Sequence, residues 1–159
     1  MKKLVIICIT LLSLNCIGQT KVETQDWISE KIHEYRSSKG VDEDFWFEDG
    51  YLHHYWSINT QIEENRTALN WKVKIEDIVK IETKCSANGC NFIIYTKQGK
   101  LFYQKTPVDT YYKVDNHPSF NVSLTKAYYN DGISARIEKA LIHLVKLYGG
   151  NATIKKEPF

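Results

Sequence analysis

The side chains in this chain that could do chemistry are few, and two cysteines stand out. Cys85 and Cys90 flank Ser-Ala-Asn-Gly, between two segments of alternating apolar residues. A structural metal site needs about four ligands, and no second Cys/His pair at zinc-site spacing accompanies these two. His53 and His54 are adjacent, so on a strand they face opposite sides and do not chelate one ion. A thioredoxin-like centre needs two intervening residues at a helix start, whereas four intervene here between strands. The spacing fits a cross-strand disulfide that closes a hairpin, with both side chains on one sheet face. Two reduced, partly buried thiols are the alternative.

Asp42, Glu43, Asp44, Glu48 and Asp49 form the densest charge run. Calcium binding would need a D-x-[DN]-x-[DN]-G loop, and here Trp46 and Phe47 interrupt the oxygen donors, so a solvated acidic edge is expected. His33 and His117 have neither a nucleophile nor a carboxylate at motif spacing, and the G-x-S-x-G and H-E-x-x-H signatures do not occur. No catalytic, cofactor-binding or metal-binding residue is therefore assigned.

Compartment decides the state of the thiols. Residues 1–18 run from Lys2 and Lys3 through the apolar stretch Leu4 to Leu14 to small and weakly polar residues ending at Gly18. This is the layout of a secretory signal peptide, with an apolar core short for a membrane span. Cleavage after Gly18 predicts an exported chain, periplasmic or secreted. Cys16 offers a minority alternative, an outer-membrane lipoprotein, although Asn15 occupies the position where a lipobox has Gly or Ala. Only with that lipid would the chain contact a membrane. Loss of Lys2 and Lys3 leaves 19 basic and 19 acidic side chains, and a neutral chain lacks the excess that phosphate-gripping nucleic-acid binders use. About 140 residues remain, enough for one domain with its own core; we expect it over 19–150, followed by a polar tail at 151–159.

The elements follow from period and punctuation. Thr20 and Glu23 stand at capping-box spacing ahead of a helix that puts Ile28, Ile32 and Tyr35 on one stripe, with Trp27 beside it. The period then becomes two. Asp49-Gly50 marks a tight hairpin turn, because both central positions of that turn need positive φ. Leu69, Trp71, Val73 and Ile75 share one face, as do Cys90, Phe92 and Ile94, and later Phe120, Val122 and Leu124. A loop is expected from Lys105 to Ser119. Ile133, Ile137, Ala140, Leu141, Leu144 and Tyr148 form a helical stripe that Gly149-Gly150 ends. The opposite face, with Arg136, Lys139, His143 and Lys146, is expected to face solvent. The class is α+β: an N-terminal helix, about seven antiparallel strands in a barrel or strongly bent sheet, and an amphipathic C-terminal helix.

This layout resembles the pleckstrin-homology-like barrel superfamily, including its GRAM-type members, and small exported bacterial proteins of uncharacterised function. The phrase "apolar strand, Asp-Ile, apolar strand" is carried by Trp71, Val73, Ile75, Asp77, Ile78 and Ile81. The resemblance implies a barrel capped by the last helix. It does not carry over phosphoinositide binding: Glu48, Asp49 and Gly50 occupy the first hairpin turn, where such members place Lys and Arg, and carboxylates repel phosphate. A helix-grip fold is the second possibility.

Aromatic residues are the remaining unusual feature, with 4 Trp, 10 Tyr and 6 Phe. Most belong to the core of a small sheet protein. Where tyrosines are adjacent on extended chain, only one ring points inward, so Tyr51, Tyr55, Tyr112 and Tyr129 are candidates for a surface that takes a protein, peptide or glycan partner. The leading expectation is a non-enzymatic exported binding or protein-interaction module. A carrier with a small apolar ligand in a helix-grip-like or barrel cavity is one alternative. The other is a hydrolase in which His54 meets a carboxylate in a cleft.

Overall fold

A computed structural model of the chain describes residues 20–37, 41–58, 68–105, 110–116 and 118–155. The expected signal peptide at 1–18, Cys16, His117 and the helix stop at Gly40 lie outside the described residues. Helix α1 spans Lys21–Tyr35 and starts at a complete capping box, with the Thr20 hydroxyl accepting from the Glu23 N–H and the Glu23 carboxylate accepting from the Thr20 N–H. These bonds satisfy donors that the first helical turn leaves unpaired. Strands β1 (Val41–Glu48) and β2 (Tyr51–Ile58) follow as a hairpin. Its turn residues Asp49 and Gly50 have φ of 49° and 80°, as the Asp-Gly dipeptide predicts.

The remaining strands are β3 (Ala68–Lys74), β4 (Ile78–Cys85), β5 (Cys90–Thr96), β6 (Leu101–Lys105), β7 (Tyr111–Val114), β8 (Ser119–Leu124) and β9 (Thr153–Ile154). They form a five-stranded sheet ordered β1-β2-β3-β6-β7 and a four-stranded sheet ordered β8-β5-β4-β9. All pairings are antiparallel except β4 with β9. Helices α2 (Ala127–Asn130) and α3 (Ile133–Leu147) lie between β8 and β9.

The expected α+β class holds, but the strands make two sheets and not a closed barrel. Three chain segments run through both sheets and bend at a common corner: β3 into β4 through a 3-10 turn at Ile75–Asp77, β5 into β6, and β7 into β8. The corner stays hydrogen-bonded. The Lys97 N–H donates to the Asp77 carbonyl and the Thr96 N–H to the Pro118 carbonyl, each at 2.9 Å. The 3-10 turn lies between the two ladders, and these two bonds tie the corner where the strands pass from one sheet to the other.

Two strands exceed the expected seven. Residues Tyr111–Val114, expected within a loop, form β7 on the edge of the larger sheet. Residues 153 and 154, expected within the polar tail, form β9 along β4, and Ala152 is buried beside them.

One core lies inside the bend. α1 supplies Ile28 and Ile32, α3 supplies Ile137, Leu141 and Leu144, and the inward rows of both sheets supply Leu52, Val73, Ile81, Phe92, Ile94 and Val122. The expected stripe of α3 is thus its packing face, while Arg136, Lys139, His143 and Lys146 are exposed. Gly150 lets the end of α3 close on the corner: a Cβ there would lie 2.6 Å from the Glu76 carbonyl oxygen.

Candidate functional site

Strand register assembles a row of rings that sequence parity alone cannot align. Phe45 pairs with His54, His54 with Trp71, Trp71 with Tyr103, and Tyr103 with Tyr112, so one cross-strand row traverses all five strands of the larger sheet. The Trp71 and Tyr103 rings are 5.4 Å apart and those of Tyr103 and Tyr112 5.5 Å. Phe120, from β8 of the other sheet, lies parallel over His54 at 5.4 Å and over Trp71 at 6.4 Å. The row grades from a buried Phe45 to a Tyr112 that is 43% exposed.

Where β8 crosses this row the sheets leave a groove of about 360 Å³, lined by His54, Trp56, Leu69 and Trp71 on one wall and by Ser119, Phe120, Asn121 and Ser123 on the other. That volume suits a small molecule or a short stretch of chain. Among the described residues its lining holds aromatic and apolar side chains, hydroxyls and an amide, and no Lys, Arg, Asp or Glu.

Behind the wall, His54 meets a carboxylate. His54 Nε2 lies 2.8 Å from Glu43 Oε1, and both side chains are nearly fully buried. An ionised carboxylate only accepts, so opposite one the ring presents Nε2–H. The same Glu43 oxygen accepts from the Ser123 N–H of β8 at 3.3 Å. One carboxylate therefore joins β1, β2 and β8 across the seam between the sheets. His54 Nδ1 is buried and has no hydrogen-bond partner among the described residues. A general base needs its lone pair within reach of a substrate proton, and the face that this ring turns to Phe120 carries no in-plane lone pair.

The run from Asp42 to Asp49 thus divides. Asp42, Asp44 and Glu48 share the outer parity expected of a solvated edge, whereas Glu43 shares the inward parity of Phe45 and Phe47 and is buried. That parity was the signal in the sequence; treating the run as one acidic edge missed it.

The four candidate tyrosines do not form one surface. Tyr51 and Tyr55 lie on the outer face of the larger sheet, the first under the Lys72 ammonium at 4.3 Å. Tyr112 belongs to the inward row. Tyr129 sits on α2, a helix where extended chain was expected, with Tyr128 buried and Tyr129 58% exposed. Tyr111 and Tyr112, expected to split between core and surface, are both exposed because β7 is an edge strand. His53, opposite in parity to His54, stacks on Trp46 at 4.8 Å; burial, reinforced by Lys72, lowers its pKa. His33 is exposed on α1.

Cys85 and Cys90 pair across β4 and β5 and form a disulfide, as the spacing predicts. Such a bond is compatible with an exported protein. No helix among the described residues is long and apolar enough to cross a membrane.

A second cluster of titratable groups lies on the outer face of the smaller sheet. Glu82 is fully buried; it accepts from the Tyr95 hydroxyl at 2.6 Å and faces Lys155 at 3.1 Å, Lys84 at 3.6 Å and Lys80 at 3.8 Å. Burial pushes its pKa up, but the Tyr95 hydroxyl and the Lys155 and Lys84 ammonium groups outweigh burial and hold the carboxyl at about 2. Its bond to Glu82, with burial, pushes Tyr95 up to about 12. Because Lys155 follows β9, this cluster fastens the last strand to the sheet.

No family model, curated protein or solved structure matches the chain.

Proposed function

We propose that this protein is an exported, non-enzymatic binding module whose ligand occupies the groove between β8 and the aromatic row. The observation that carries the reading is the lining itself: Trp56, Leu69, Trp71 and Phe120 provide large apolar faces, and Ser119, Asn121 and Ser123 border them with hydrogen-bonding groups. This is the composition of recognition sites, in which rings supply contact area and a few polar groups fix orientation. The His54–Glu43 pair counts toward binding and not hydrolysis, because Glu43 is engaged in holding the seam and His54 Nδ1 is buried. The pleckstrin-homology-like resemblance supplies no ligand, since function resides in the site.

The test is calorimetric titration with two neutral probes, a capped peptide alternating threonine with valine or phenylalanine, and maltotetraose. Saturable binding of at least one is expected. Trp71→Ala should weaken it about tenfold or more, while Trp46→Ala, on the outer face, should leave it unchanged. Hydrolysis of an ester or amide panel that His54→Ala abolishes would overturn the reading, as would no binding of either probe.

A further inference from the structure

The groove runs along a strand edge that the described residues cover over only part of its length. In β8 the even-numbered residues bond to β5, since the Thr96 N–H donates to the Pro118 carbonyl and the register continues through Ile94 with Phe120 and Phe92 with Val122. The odd-numbered residues therefore turn their N–H and C=O groups away from β5. At the C-terminal end of β8 these groups are met by the chain just after α1: the Thr125 N–H donates to the Tyr35 carbonyl and the Ser37 N–H to the Ser123 carbonyl. The Ser123 N–H is met by the Glu43 carboxylate. Asn121 comes next in the outward series, and its main-chain N–H and C=O have no partner among the described residues. Its side chain points elsewhere, donating from Nδ2 to Asn91 Oδ1 at 3.3 Å.

An open strand edge is a template for another strand, and proteins usually blunt it. β1 shows how this chain does so: Arg36 Nη1 donates to the outward Glu43 carbonyl and Asp44 Oδ1 accepts from the outward Phe45 N–H. Among the described residues β8 has no such plug at Asn121, and this is where the groove lies. Resting on the groove being the binding site, we propose that its ligand is an extended, uncharged peptide segment that adds as a strand to β8. The ligand pairs its main chain with the N–H and C=O of Asn121 and lays alternate apolar side chains on Trp56, Leu69 and Trp71. Strand addition of this kind takes affinity from main-chain bonds and selectivity from pockets at alternate positions. The lining residues among the described ones carry no charged side chain, which favours a neutral segment.

The experiment uses the capped alternating peptide and the same peptide N-methylated at alternate residues, which keeps its side chains but removes main-chain donors. Asn121→Pro deletes the outward N–H without touching the ladder to β5, a position where an edge strand accepts proline; Asn121→Ala removes the same side chain but keeps the N–H, so the difference between the two variants reports the main-chain donor. Expected are a loss of about tenfold or more on N-methylation, an equal loss in Asn121→Pro relative to Asn121→Ala, and slower Asn121 amide hydrogen exchange in the complex. Equal binding of the methylated peptide would overturn strand addition, and so would binding of maltotetraose alone; both leave the groove standing as the site if Trp71→Ala abolishes the binding. The peptide arm leaves the protein unaltered, so it decides the matter even if Asn121→Pro does not fold. Failure of both peptide and maltotetraose to bind would overturn the groove itself.

Discussion

Two buried carboxylates do different work in this protein. Glu43 uses one oxygen to join His54 to the Ser123 N–H, so losing it would strand two buried donors at once. Glu82 is held by a hydroxyl and three surrounding ammonium groups, and its effect depends on pH. Its folded pKa of about 2 lies below the ordinary 4.5, so folding favours the ionised form. The stability it contributes is fully present above about pH 4.5 and is lost as pH falls through the interval toward 2. In urea unfolding followed against pH, Glu82→Gln should therefore be less stable than the parent by about 1–3 kcal/mol at pH 7, with the gap narrowing toward pH 2. A gap that does not change with pH would contradict this role. At this scale the sequence was legible where parity was followed through: Cys85 and Cys90 are positioned as their spacing requires, and Glu43 would have been found from its alternation with Phe45 and Phe47. Asn121 was not legible as a site residue, because what distinguishes it is an unmet main-chain group.

Helix ends, hairpin turns and apolar stripes are local properties, and the elements they govern are where the sequence places them: the capping box at Thr20, the turn at Asp49-Gly50 and the stripe of Ile137, Leu141 and Leu144. β7 and β9 lacked such signals. β7 is a short, exposed edge strand without clear alternation, and β9 is two residues recruited by parallel pairing to β4. The disulfide belongs to this scale, since it closes a hairpin already held by the register of β4 and β5. A loop this short constrains the unfolded chain little. The Cys85→Ser, Cys90→Ser double variant should remain folded, unfold with a loss of about 2 kcal/mol, and bind the groove probes as the parent does. Binding lost in a stably folded double variant would instead place the hairpin tip in the site.

At the scale of the molecule, the described residues form two sheets that share one corner, with α1 and α3 packed inside and a groove left where β8 passes the larger sheet. Alternation indicated which residues face inward. It could not give the register that aligns Phe45, His54, Trp71, Tyr103 and Tyr112 in one row, nor the corner that lays Phe120 over them, because both arise from pairing between distant segments. The four tryptophans now report on the central claim: Trp56 and Trp71 line the groove, Trp46 stacks on the outer face, and Trp27 is on α1 beside Arg136. The most direct test is a titration of 15N-labelled protein with the capped alternating peptide and with maltotetraose, following the four indole N–H resonances. The groove account predicts that at least one probe moves Trp56 and Trp71 saturably while Trp46 and Trp27 stay fixed; movement of Trp46 or Trp27 alone, or of none of the four with either probe, would contradict it.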